Sequence, residues 1–81
     1  IFYANKAAKQ LRGLPLLIQK RIVEKMRFYA GQVNPLKFAE RLTNYLEGEF
    51  RFRIGDYRVI FDVEKNIIFI LKIKKRDKAY Y

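Results

Sequence analysis

The feature that most constrains this chain is a change of period at Gly48. Beyond it, Phe50, Phe52 and Ile54 alternate with Arg51 and Arg53. A repeat of two places the apolar residues on one face of an extended strand and the arginines on the other. Gly55-Asp56 is a two-residue hairpin signal, and Tyr57 to Val63 forms the next strand. Glu64-Lys65-Asn66 makes a second turn. Ile67 to Lys74 is then a third strand, apolar until Lys72 and so expected to be central and covered on both faces. Consecutive strands joined by such short turns form an antiparallel meander, whose apolar side needs a cover.

The front of the chain supplies that cover. Asn5 is a good N-cap for a helix from Lys6 to Leu11, which Gly13 stops. Pro15 suits the first position of a second helix, where its missing N–H costs nothing. Within that helix Ile18, Ile22, Met26 and Tyr29 recur at helical spacing, with Val23 and Ala30 widening the stripe, and Gly31 ends it. The short link around Gly13 pairs the two helices as an antiparallel hairpin. Ile1 to Tyr3 reads as the end of a first strand, and Gln32 to Leu36 as a loop. Lys37 to Glu47 is expected to form a helical turn carrying Phe38, Leu42 and Tyr45 or Leu46 inward. The class is α+β: an N-terminal helical hairpin packed on a small antiparallel β-sheet, one domain over residues 1–81.

Composition excludes much chemistry. The chain of 81 residues has no Cys and no His, so a disulfide framework, a thiolate nucleophile and a His general base are all ruled out. The usual ligands for zinc and most transition metals are missing as well. No apolar run approaches the ~20 residues of a membrane span, and the lack of Cys fits a reducing compartment. Because residue 1 is Ile, the natural chain is expected to begin slightly earlier. Seven Phe and six Tyr within 51% apolar residues supply a dense core and argue against disorder. The net charge of +10 points to a polyanion or an acidic protein as partner.

The arginines give that charge a place. Arg51 and Arg53 share a strand face, Arg58 lies just past the turn on the paired strand, and Arg76 follows the third strand. Guanidinium is a planar, permanently charged fork suited to phosphate. Lys74, Lys75 and Lys78 surround the patch, and Tyr57, Tyr80 and Tyr81 offer rings for unpaired bases. Alternating cations also serve as an ordinary solvated sheet face, and Phe50, Phe52, Phe61 and Phe69 read as core.

The run from Glu49 to Phe61, with Gly55-Asp56-Tyr57-Arg58-Val59 at its centre, resembles the signature of the RelE/ParE superfamily of toxins. The close from Lys75 to Tyr80, Leu14-Pro15 at the helical joint and Asn34-Pro35 before the sheet are similar too, so the likeness spans nearly the whole chain. It implies a RelE-like, microbial ribonuclease-like fold. It also implies a cytoplasmic toxin of a type II toxin–antitoxin system, a ribosome-dependent, metal-independent endoribonuclease that cleaves mRNA and needs no cofactor. The implied partners are the ribosome, mRNA and an acidic RelB-like antitoxin in a hetero-oligomer. By position the resemblance assigns catalytic roles to Arg51, Arg58, Arg76 and Tyr80, with Arg53, Lys74, Lys75, Lys78 and Tyr81 touching RNA. Glu49 stands where some members have Lys, and Lys75 where some have His. Glu49 is then a candidate general base, although a carboxylate beside arginines is a weak one. A ParE-like toxin acting on DNA gyrase and a non-catalytic RNA- or ribosome-binding relic of the fold are the alternatives.

Overall fold

The computed structural model describes residues 1–43 and 46–76. In chain order the elements are β1 (Phe2–Tyr3), α1 (Asn5–Arg12), α2 (Leu16–Ala30), a 3-10 turn (Pro35–Phe38), β2 (Glu40–Arg41), β3 (Phe50–Ile54), β4 (Tyr57–Glu64) and β5 (Ile67–Lys75). They build one five-stranded sheet in the order β1-β5-β4-β3-β2. The meander β3-β4-β5 is antiparallel as its turns require, β2 adds antiparallel to β3, and β1 runs parallel to β5. The sheet is therefore mixed, and β4 is its middle strand.

The two hairpin turns differ in chemistry. At the β3–β4 turn Gly55 alone is left-handed (φ 58°), as a turn with Gly at its first central position needs. At the β4–β5 turn both Lys65 (φ 50°) and Asn66 (φ 65°) are left-handed, the twist that suits a two-residue hairpin. Asn tolerates that conformation better than Lys.

Both helices cover one face of the sheet. Ile22 and Met26 of α2 and Ala7 of α1 are fully buried against Phe52, Val59, Phe61 and Ile70. Tyr29, Phe52 and Phe61 stack in sequence, with ring centroids 4.3 and 4.4 Å apart. Such a file aligns α2 over β3 and β4, because offset stacking fixes ring positions as well as burying area. On the strand edge beside β1, the Gln10 side chain accepts a 2.7 Å hydrogen bond from the Ile73 N–H. A side chain of α1 thus satisfies part of the ladder that two-residue β1 does not reach.

Several local expectations change. Ala4 is the N-cap of α1, with no side-chain cap, and Asn5 is already helical. Pro15 is the extended N-cap of α2, one residue ahead of the expected position. The expected helical turn over 37–47 is instead the 3-10 turn Pro35–Phe38 followed by β2. The reason is that β3 would otherwise be an edge, and Glu40 and Arg41 pair with Arg51 and Phe50. Phe38 and Leu46 are exposed rather than inward, Leu42 is half-buried, and Tyr45 lies outside the described residues. β5 is not covered equally on both faces: Ile68, Ile70 and Ile73 are buried, whereas Phe69 is half-buried against the exposed Phe2 ring.

A bulge completes the frame. Ile60 pairs with Lys72 but Phe61 with Ile70, so Leu71 is an extra residue in β5. The segment at Gly48 lies over this irregularity: a Cβ at Gly48 would meet Ile60 Cγ2 at 2.7 Å and Leu71 Cδ1 at 3.3 Å. Gly48 also has φ 156°, which side chains rarely adopt. Its lack of a side chain lets the chain close over Ile60, which is buried on the face opposite the helices. Among the described residues no helix is long and apolar enough to cross a membrane.

Candidate functional site

The open face of the sheet carries the charge. The two-residue β3–β4 turn sets Ile54 against Tyr57, so Arg53 stands directly opposite Arg58. The next pairing sets Arg58 opposite Lys74. Three strands therefore place Arg53, Arg58 and Lys74 in one straight row. The following row holds Arg51, Ile60 and Lys72. Directly opposed like charges repel, so a row of three cations costs stability unless anions attend it.

Two glutamates attend the ends. Glu40 of β2 takes Arg51 Nη2 at 3.1 Å and Arg53 Nε at 2.7 Å. Glu47 takes Lys74 Nζ at 2.8 Å and lies 3.8 Å from Lys72 Nζ. The hydrogen bond from Arg51, aided by the charges of Arg51, Arg53 and Arg58, holds the Glu40 carboxyl below the usual carboxylate range. The hydrogen bond from Lys74 does the same for Glu47. Arg58, at the middle of the row, forms no salt bridge among the described residues. Arg51 is the least exposed of the four ion-paired cations, and its Nε is buried without an acceptor among the described residues.

Beside the row is a shallow concavity of about 90 Å³, lined by Arg53, Asp56, Tyr57, Arg58 and Arg76. The Arg76 N–H donates to the Asp56 carbonyl at 2.6 Å, which extends the β4–β5 ladder and seats Arg76 beside the β3–β4 turn. The site thus presents three guanidiniums around a space of about the right scale for one oxyanion group.

The expected site residues divide accordingly. Arg58 and Arg76 meet at the concavity, joined by Arg53 rather than by Arg51, which lies one row deeper. Lys74 lies in the row itself. Lys75 pairs opposite Tyr57 and does not line the concavity. Glu49 is exposed, its N–H bonded to Asp62 Oδ1 at 2.8 Å. Four extended residues, roughly 13 Å, separate it from Arg53, so the structure does not bring Glu49 to the concavity. Lys78, Tyr80 and Tyr81 lie outside the described residues. Glu40 and Glu47 had no local signal, because only the β2–β3 pairing and the fold at Gly48 bring them to the cations. Asp56, read only as a turn residue, also lines the concavity.

A helical pair on one side of a small mixed sheet and a cation row on the other define an α+β domain with one strongly basic face. The chain belongs to the RelE/ParE superfamily: the family of ParE toxins of type II toxin–antitoxin systems (parDE) matches residues 1–80. Among solved structures it is similar to a chain of the toxin–antitoxin complex RelBE2 from Mycobacterium tuberculosis, with TM-score 0.75 and 28% identity over 91% of this chain and 93% of that one. It is also similar to a chain of the RelB–RelE antitoxin–toxin complex from Methanococcus jannaschii, with TM-score 0.69 and 25% identity over 99% and 95%. No curated protein matches.

Proposed function

We propose that this toxin is a ribosome-dependent endoribonuclease that cleaves mRNA, and that an acidic antitoxin neutralises it. The observation that carries the reading is Arg58 at the centre of the cation row, with no salt bridge among the described residues, beside a concavity shared with Arg53 and Arg76. The resemblance to two RelE complexes supports it.

The chemistry suited to such a site is attack of the RNA 2′-oxygen on the adjacent phosphorus. The O2′–P bond forms, the P–O5′ bond breaks, and the products carry a 2′,3′-cyclic phosphate and a 5′-hydroxyl. Negative charge grows on the non-bridging oxygens as phosphorus becomes five-coordinate. Fixed guanidiniums stabilise that charge more than the ground state's, because they need no reorganisation as it develops. Arg58 and Arg76 hold the scissile phosphate, with Arg53 completing the clamp and Arg51 stiffening the strand behind it. Lys74 and Lys75 draw in the flanking backbone, and Lys78 adds charge after Arg76. Tyr80 orients the 2′-hydroxyl or stacks on a base, with Tyr81 beside it. Arginine is a poor proton carrier, so the proton leaves O2′ and reaches O5′ by other groups. Positioning in the ribosomal decoding site supplies the in-line geometry.

One observation favours a second reading. The matching family is that of ParE toxins, which suits a toxin directed at DNA gyrase. Inducible expression separates the two. Phased mRNA cuts on stalled ribosomes, lost in Arg58→Ala and Arg76→Ala, support the nuclease; gyrase-linked DNA breaks with intact mRNA replace it with the gyrase reading.

A further inference from the structure

We propose that Glu40 and Glu47 occupy two phosphate seats on the open face, and that an RNA strand binds by displacing both carboxylates from their cations. This rests on the reading of the row as an RNA site. Each carboxylate bridges two cations that are two residues apart on one strand: Glu40 spans Arg51 and Arg53 of β3, and Glu47 spans Lys72 and Lys74 of β5. The two seats flank Arg58, which stands between β3 and β5 with no carboxylate of its own among the described residues. Among the described residues the arrangement is one of carboxylate, unbridged cation, carboxylate across three strands. A phosphodiester chain repeats anions in that manner, with a phosphate for each seat and one for Arg58.

Both glutamates are placed to leave. Glu40 comes from a two-residue edge strand and its side chain is 46% exposed, while Glu47 precedes Gly48 and is 38% exposed. The carboxylates themselves reach solvent, while Arg51 and Lys72 beside them are only 20% and 26% exposed, so release costs a partly exposed ion pair in each seat. Both carboxylates are held in the ionised form by their cations, so each seat carries a full negative charge until it is vacated. The carboxylates therefore screen the row in the free protein, keep it from self-repulsion, and compete with any incoming polyanion.

The test is binding by Glu40→Gln, Glu47→Gln and the double variant, compared with the unaltered chain. The probe is a short labelled 2′-O-methyl oligouridine, which cannot be cut through its 2′-oxygen. Tripolyphosphate and an oligoglutamate peptide are parallel probes, and circular dichroism checks folding. Each single substitution should tighten RNA about 2- to 5-fold and the pair up to about 10-fold, a gain that added salt erases. A purely structural role for the glutamates predicts the reverse, since loosened arginines bind more weakly. Unchanged or weaker binding of both RNA and tripolyphosphate overturns the proposal. Tightening confined to oligoglutamate overturns it in favour of seats for an acidic protein. Tightening of tripolyphosphate with no RNA binding by any form supports the phosphate seats and removes the RNA reading on which they were placed.

Discussion

Replacing Arg58 with Gln should make the fold more stable while weakening its hold on RNA. Arg58 faces Arg53 on one side and Lys74 on the other, in direct cross-strand register. Each like-charged pair costs about 0.2–1 kcal/mol, so removing the middle charge relieves two such terms. Against that, the attraction that Arg58 exerts on Glu40 is lost. It is worth a few tenths of a kcal/mol at an exposed site. At the middle of these ranges the net gain is about 1 kcal/mol, which raises Tm by roughly 4–8 °C in a domain of this size. The same substitution removes a charged hydrogen-bond donor to phosphate, worth about 1.5–3 kcal/mol, so RNA affinity should fall at least tenfold. Thermal melts at low salt and at ~1 M salt, where screening reaches ~3 Å, read the first effect and its origin. A Tm that falls by several degrees, or a rise that high salt does not diminish, would refute the reasoning.

Other consequences of the fold are equally direct. Gly48→Ala forces a Cβ to within 2.7 Å of the buried Ile60 in a backbone conformation of φ 156°; it should cost about 2–4 kcal/mol and lower the urea midpoint with little change in m-value. Gln10→Ala strips the Ile73 N–H of its acceptor, and should cost about 1–3 kcal/mol and speed exchange of that amide. Glu40 and Glu47 both have depressed folded-state pKa values, so their pairs stabilise the fold above the ordinary carboxylate value of about 4.3 and lose that contribution as pH falls through the folded values. The unaltered chain should melt higher than the double Gln variant at neutral pH, and the gap should close in acid.

Much of this architecture is written locally. The two-residue turns, the alternation of Phe50, Phe52 and Ile54, and the helical stripe of Ile18, Ile22 and Met26 specify the meander and its cover through short-range chemistry alone. The opposition of Arg53 and Arg58 is implied by the length of the Gly55-Asp56 turn, once register is counted outward from it. What escaped local reading depends on distant pairing. β2 exists because β3 offers an open edge, and nothing in Glu40-Arg41 itself signals a strand. The bulge at Leu71 and the closure of Gly48 over Ile60 are likewise tertiary, and with them went the placement of Glu47. A repeat of two puts Glu49, Arg51 and Arg53 on one face but says nothing of which of them meets Arg58 and Arg76. Arg53 takes the place expected for Arg51, and Glu49 falls too far along the strand.

In the proposed reaction the mRNA's own 2′-oxygen is the nucleophile and the guanidiniums stabilise the charge that grows on the scissile phosphate. This chemistry is tested most directly by adding the purified chain to a reconstituted translation reaction on a defined mRNA and identifying the new ends. The account predicts fragments with a 5′-hydroxyl and a 2′,3′-cyclic phosphate, formed only on ribosomes and lost in Arg58→Ala. Intact mRNA, together with inhibition of gyrase supercoiling by the same preparation, would contradict it.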